Sequence, residues 1–269
     1  MIIIFKVFNY LHKGMLNLNK AEKKYEIHYY EVDYKKRASM TSIMNYFCDI
    51  ATKQSEDMNI GLKYMEENKM AWVLYKWDIN IKRYPVYGDV INVTTNPKCL
   101  EKFYAYRHFE VINSKGEKII DALSQWLLMD TEKRKLKKIP QKLFECYDSK
   151  ELKSEDIKIP KVSKIKKVDN DKVFNVRYSD IDTNGHVNNA KYVSWIIETM
   201  PLEIVLNYTL KNLNMTYKKE TVYKDKVKVL CEIENKNDLV ICKHNIVDKD
   251  SNELNIAQTI WEKNKEAEN

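Results

Sequence analysis

The chain has 269 residues, 44% apolar and 11% aromatic, enough to bury one large core or two of ordinary size, which excludes a disordered or fibrous class. Lys and Arg outnumber Asp and Glu by 46 to 39, a formal net charge of +7 that favours acidic partners over basic ones. Five cysteines, Cys48, Cys99, Cys146, Cys231 and Cys242, form no C-x-x-C pair, which speaks against a disulfide framework or a zinc ribbon and for reduced thiols in a cytoplasmic protein.

In chain order, "MIIIFKVFNYLHKGML" is the one apolar run near an end, but Lys6 and Asn9 interrupt it and no small-residue cleavage site follows. It is neither a signal peptide nor a membrane span. Residues 1–20 are therefore set aside as an extension, or as a mis-assigned start ahead of Met15. In "YYEVDYKKRASMTSIMNYFCDIA" (29–51), Met40, Ile43, Met44, Phe47 and Ile50 recur at helical spacing and predict an amphipathic helix. "AWVLYKWDINIKRY" (71–84) alternates instead, with Val73, Tyr75, Trp77, Ile79 and Ile81 on one face, and predicts a half-buried antiparallel strand. A hairpin is expected at "VINSKGEKII", turning on Ser114, Lys115 and Gly116.

Two basic runs follow, EKRKLKKIP (132–140) and KVSKIKK (161–167). Such runs form a solvated face or attract a polyanion. No zinc-finger or RNA-binding signature accompanies them, so an acidic protein is a better partner than nucleic acid. The charged, aromatic-poor stretch 147–171 reads as a surface linker. "RYSDIDTNGHVNNAKYVSWIIET" (177–199) then predicts a turn-rich loop and a second amphipathic helix, with Val187, Ala190, Val193, Ile197 and Met200 as its apolar stripe and Pro201 as its end.

The second half repeats the first. Asp33 matches Asp182, "YPVYGDVINV" (84–93) matches "ETVYKDKVKV" (220–229), and "VINSKGEKIIDALSQW" (111–126) matches "IVDKDSNELNIAQTIW" (246–261), setting Trp126 on Trp261. The offset shortens after the helix, so the first copy carries extra chain there, most simply in "MNIGLKYMEENK" (58–69). Each copy reads as one long helix against an antiparallel sheet, an α+β arrangement, and the two sheets can pair edge to edge to cover their exposed edges. The expected layout is an N-terminal unit at 21–146, a linker at 147–171 and a C-terminal unit at 172–269.

A duplicated fold keeps in both copies what folding needs and can keep chemistry in one. In register with Asp33, Lys35 stands opposite Asn184, Arg37 opposite His186 and Ser39 opposite Asn188; further on, Tyr84 stands opposite Glu220 and Pro85 opposite Thr221. Only the second copy holds an acid–base set, Asp182, Asn184, His186 and Glu220. The plainer reading of each is available: Asp182, Thr183, Asn184 and Gly185 are common turn residues, Asn188 is a good N-cap, and Glu220 could face solvent beside Lys219. Their joint spacing carries more information than any one of them.

The run "SDIDTNGHVNNAKYVSWIIE" followed by "YKKET", together with "YYEVD", "NYF", "AWVLYKWDI" and "RYPVYGD", resembles the acyl-acyl carrier protein thioesterases, in their bacterial form, from about Tyr25 onward. The resemblance implies two tandem hotdog domains, no cofactor and no metal, and hydrolysis of acyl-carrier thioesters in fatty acid synthesis. It places Asp182, Asn184, His186 and Glu220 at the family's catalytic positions. Many plant members have a cysteine after that glutamate; Thr221 stands there instead, which implies attack by water. Glu220 is then the expected general base with Asn184 holding the water, and Asp182 is expected to orient His186, which polarises the carbonyl or protonates the leaving sulfur. The opposite assignment, Asp182 as base and Glu220 as positioner, stays open. The backbone N–H groups of Val187, Asn188 and Asn189, at the positive end of the helix dipole, are the expected oxyanion donors. The acyl chain is expected between helix and sheet of the first domain, against Ile43, Met44, Phe47, Tyr75 and Trp77. The partner implied is an acidic acyl carrier protein, with neither nucleic acid nor membrane; whether the tandem unit forms a homodimer is left open. The alternatives are an acyl-CoA thioesterase and a non-catalytic acyl-thioester sensor.

Overall fold

The computed structural model describes residues 20–147 and 157–264; the first nineteen residues of the proposed extension and part of the linker lie outside them. Eleven strands form one antiparallel sheet. In the first half these are β1 (Ala21–Glu26), β2 (Met70–Ile81), β3 (Val90–Leu100), β4 (Tyr104–Ile112), β5 (Lys118–Asp130) and the short β6 (Lys135–Leu136). The second half supplies β7 (Asn170–Asn175), β8 (Tyr208–Tyr217), β9 (Lys226–Lys236), β10 (Leu239–Asp248) and β11 (Glu253–Lys263). Their spatial order, β1-β3-β4-β5-β2-β8-β11-β10-β9-β7, reads the same from either edge, because β8, β11, β10, β9 and β7 are the second copies of β2, β5, β4, β3 and β1. The fold is thus the α+β double hotdog, closed at its centre by antiparallel pairing of β2 with β8, Lys76 opposite Thr216 through Asn80 opposite Asn212.

That pairing covers the edge each sheet would otherwise expose. Asn212 reinforces it by donating from Nδ2 to Asp78 Oδ1 and Asn80 Oδ1, both at 2.9 Å. Each seam strand also carries a bulge at the same repeat position: β2 skips Tyr75 in its pairing with β5, and β8 skips Lys211 in its pairing with β11. A bulge inserts one residue and reverses the side-chain alternation. The strict alternation expected for 71–84 therefore holds for Trp77, Ile79 and Ile81, which are buried, and fails at Tyr75, which is only half-buried.

Two long helices lie side by side on the sheet, α1 (Met40–Asp57) and α4 (Asn189–Thr199). Each starts on a polar cap: Ser42 N–H donates to Ser39 Oγ at 3.1 Å, and Ala190 N–H to Asn188 Oδ1 at 2.9 Å. Their later courses differ. Pro201 cannot continue a helix, so the second copy breaks and resumes as α5 (Leu202–Asn207), whereas α1 runs on unbroken. The extra chain of the first copy then contributes α2 (Leu62–Glu67), and α3 (Gln141–Tyr147) packs near it around Ile60, Met65, Met70, Leu100, Leu128 and Leu143. No helix among the described residues is long and apolar enough to cross a membrane. Residues 157–169 carry no helix or strand and lie along the sheet, where Asn214 Nδ2 donates to the Pro160 carbonyl at 3.1 Å.

The space between the first half of α1 and its sheet is filled. Phe47, Trp77 and Phe109 meet there with ring centroids 4.8 to 5.6 Å apart, and all three are fully buried. Ile43 and Met44 are buried beside them. Of the five residues expected to line an acyl tunnel, Ile43, Met44, Phe47 and Trp77 make the core instead, and Tyr75 is half-buried. Phe47→Ala is expected to cost about 3–5 kcal/mol in urea unfolding followed by tryptophan fluorescence; a loss below about 1 kcal/mol would mean that the ring faces open space.

Candidate active site

The loop before α4 is built by Asp182. Its Oδ1 accepts the backbone N–H of Asn184 at 2.8 Å and of His186 at 3.3 Å, while its own N–H donates to the His186 carbonyl at 2.8 Å. Gly185 completes the turn at φ +79°, a left-handed conformation that glycine adopts without cost. The first copy builds the same loop: Asp33 Oδ1 accepts from Lys35 and Arg37 N–H, and Lys36 takes the left-handed position at φ 58°. This duplicated turn is the fold's contribution, and it identifies a main-chain role for Asp182.

The side chains that the turn presents differ. His186 Nε2 lies 3.1 Å from Glu220 Oε2, with 26% and 40% of the two side chains exposed. In the first copy the same two positions carry Arg37 and Tyr84, stacked with the guanidinium 4.9 Å from the ring centroid. Arg37 also pairs with Asp33 at 3.0 Å and donates to Thr209 Oγ1 at 3.1 Å, and Lys35 Nζ reaches the Val205 carbonyl at 3.0 Å, so that loop braces the second half. One scaffold thus carries a strut in one copy and a titratable pair in the other.

Several expected contacts fall elsewhere. His186 orients against Glu220, and Asp182 acts on it through the backbone. Two of the three expected oxyanion donors are occupied: Val187 N–H donates to the Thr221 carbonyl at 2.9 Å and Asn188 N–H to the Asp180 carbonyl at 2.8 Å. Among the described residues no backbone partner takes the Asn189 N–H, which leads the helix. Thr221 is buried, with its hydroxyl turned inward.

A cavity of about 880 Å³ opens beside Thr183 and Asn184 of the loop that carries His186, large enough for an extended acyl chain. Its walls come from the unbroken second half of α1 (Cys48, Ala51, Ser55), from the inserted chain (Ile60, Met65) and from Met70, Trp72 and Trp126 of the sheet, and its mouth includes Thr183 and Asn184 of the second half. Arg107 also lines the cavity; it donates to Gln54 Oε1 at 2.5 Å and Thr95 Oγ1 at 3.2 Å, and lies 5.5 Å from the Tyr147 ring centroid. Burial lowers the Arg107 pKa from its ordinary value.

Arg134 was not among the sequence candidates. It sits in the turn after β5 at φ 50° and places Nη2 2.8 Å from Glu220 Oε2, the same oxygen that His186 approaches. The signal was available in the basic run 132–140, which the turn brings to the mouth. Elsewhere, His108, Glu110 and Asp121 cluster closely enough to suggest metal ligation, but Lys118 Nζ already bridges the carboxylates at 2.6 and 3.2 Å.

Comparison with known proteins gives consistent matches. A model of the acyl-ACP thioesterase N-terminal domain matches residues 18–147, and one of the acyl-ACP thioesterase C-terminal domain matches residues 163–263. A chloroplastic palmitoyl-acyl carrier protein thioesterase of Gossypium hirsutum is 29% identical over 209 residues, covering 73% of this chain and 51% of its own length. A solved Lactobacillus plantarum structure described as an oleoyl thioesterase superposes with a TM-score of 0.88 at 25% identity, over 93% of this chain and 99% of its own. The 12:0-ACP thioesterase of Umbellularia californica gives 0.82 at 23% identity, over 94% and 97%, and supports the fold. The chain spans about half the length of the curated plant relatives first matched.

The turn role of Asp182 separates two substitutions. Asp182→Ala orphans two backbone N–H groups and is expected to cost about 1–3 kcal/mol in thermal unfolding, whereas Asp182→Asn keeps the acceptor and costs less than about 1 kcal/mol. Equal losses would remove the hydrogen-bonded turn as the explanation.

Proposed function

Because the chain belongs to the acyl-ACP thioesterase family, we propose that it hydrolyses acyl-carrier-protein thioesters to free fatty acid. The observation that carries this reading is the His186–Glu220 pair, found in one copy only, beside a cavity that the other copy walls. The acyl chain occupies the cavity along Ala51, Met65 and Trp72, which puts the thioester at Asn184. Asn184 and the Asn189 N–H face the carbonyl oxygen as it gains charge. Glu220 takes a proton from water as the water oxygen bonds to the carbonyl carbon. Collapse breaks the C–S bond, and protonated His186 gives its proton to the departing sulfur, a good leaving group with a thiol pKa of about 8.5. The proton then on Glu220 returns to His186 across their 3.1 Å contact, which resets the site.

The carrier is favoured as partner by the charge at the mouth. Lys133, Arg134, Lys135 and Lys138 are exposed in and after the turn that touches Glu220, and Lys69 adds to them beside Glu132. Such a surface attracts an acidic protein and speeds encounter. The cytoplasm, where such a carrier and five free thiols would both persist, is the proposed location.

Three measurements test this. Purified protein incubated with a panel of acyl-carrier and acyl-CoA thioesters is expected to release acids, identified by mass spectrometry, with the carrier forms turned over faster. No acid from any member would promote a binding or sensor role. Glu220→Gln is expected to lose at least about a hundredfold in kcat and Asp182→Asn no more than about tenfold; the reverse order would make Asp182 the base. For the carrier substrate kcat/KM is expected to fall as salt rises past the roughly 10 Å screening length reached near 0.1 M, and a flat response would remove the basic surface from the reading.

A further inference from the structure

Behind Glu220 the second copy buries polar groups where the first is apolar. Tyr192 of α4, Thr221 and Asn255 of β11 occupy the repeat positions of Ile43, Pro85 and Ile120. All three are almost wholly buried, at 3%, 2% and 0% exposure. Thr221 Oγ1 and both side-chain polar atoms of Asn255 have no well-formed hydrogen bond; Asn255 stands opposite Tyr217 in the β8–β11 pairing, the Tyr217 ring lies 6.0 Å from that of Tyr192, and burial pushes the Tyr192 phenol up to about 12. Buried polar atoms without good partners weaken a fold, so a core that has an apolar solution in its own first half retains them here against stability.

The backbone shows what they bear on. The Thr221 carbonyl takes the Val187 N–H at 2.9 Å, which ties the residue after Glu220 to the residue after His186. One step earlier, Lys218 and Lys219 N–H donate to the Leu254 carbonyl at 2.9 and 3.0 Å, next to Asn255. The segment 218–221 is thus fixed at two points, and the three side chains lie between them.

We propose that Tyr192, Thr221 and Asn255 are positioning residues, a buried polar cluster confined to the second half that sets Thr221 from below and so holds Glu220 within hydrogen-bond distance of His186. This rests on the reading of that pair given above. The cluster touches neither substrate nor reacting atoms; it restricts where the base can sit.

The test replaces the cluster by first-copy-like residues. In Thr221→Val with Asn255→Ile the melting temperature is expected to stay level or rise, because orphaned polar atoms are removed. The kcat is expected to fall about tenfold to a hundredfold, with KM changed less than about twofold, as a small displacement of a base requires. Thr221→Ser, which keeps the hydroxyl, is expected to retain most of the turnover, and the double substitution made in a Glu220→Gln background is expected to lose nothing further. A readout independent of turnover is the ring-nitrogen NMR signal of His186, which shifts in the double variant if Glu220 moves. An unmoved His186 signal overturns the proposal, as does a kcat within twofold of wild type or a melting temperature that falls in step with activity. If wild type released no acid from any thioester, the catalytic reading would fall, and the His186 signal would still decide whether the cluster positions Glu220.

Discussion

One backbone hydrogen bond organises the molecule twice. Val187 N–H to the Thr221 carbonyl, and Ala38 N–H to the Pro85 carbonyl, both at 2.9 Å, clamp the loop before each helix to the segment leaving each seam strand. Everything distinctive about the two halves is set relative to that bond. It fixes the side chain just before Val187 beside the one just before Thr221, whatever those side chains are. In the first half they are an arginine and a tyrosine, which stack and brace the seam; in the second they are a histidine and a glutamate, which can exchange a proton. Substitution at two positions changes the chemistry while the clamp keeps the distance.

The division of labour follows from helix length. A proline in the second copy ends α4 after three turns, so its helix and sheet close on a filled core. The first copy has threonine at that position, its helix continues, and the inserted chain stands off the sheet far enough to leave a cavity. Because the helices lie against each other on one continuous sheet, the open end of the first half meets the clamped loop of the second. The cavity lies in the first half and the His186–Glu220 pair in the second, and the β2–β8 seam is what joins them.

Much of this was readable from residue order. The repeat was visible because both copies must satisfy the same turn: Asp33 and Asp182 accept the same two N–H groups, and Ser39 and Asn188 cap the same helix end. His186 and Glu220 stood out because the repeat gave each a non-titrating counterpart or a different one. The cavity wall was misread for two physical reasons. Periodicity identifies apolar faces but cannot distinguish a packed face from a hollow one, so Phe47 and Trp77 looked like a tunnel and are core. A bulge at Tyr75 also shifts the strand by one residue, which no alternation pattern announces. The change of offset at 58–69 is the sequence sign of the inserted chain that walls the cavity.

Arg134 shows a different limit, since its place beside Glu220 depends on a left-handed residue in an exposed turn and on where β5 ends. Its contact is also weak: the arginine side chain is 71% exposed and the glutamate 40%, and ion pairs of that kind contribute about 0–1 kcal/mol. An arginine so loosely held does little to fix Glu220, whose backbone is tied at the next residue by the Val187 N–H bond to the Thr221 carbonyl. The two sides of Glu220 therefore obey different physics. Toward the mouth its neighbour is an exposed cation that salt can screen. Toward the core the next residue, Thr221, is buried and its carbonyl is bonded to the Val187 N–H, contacts that salt does not reach.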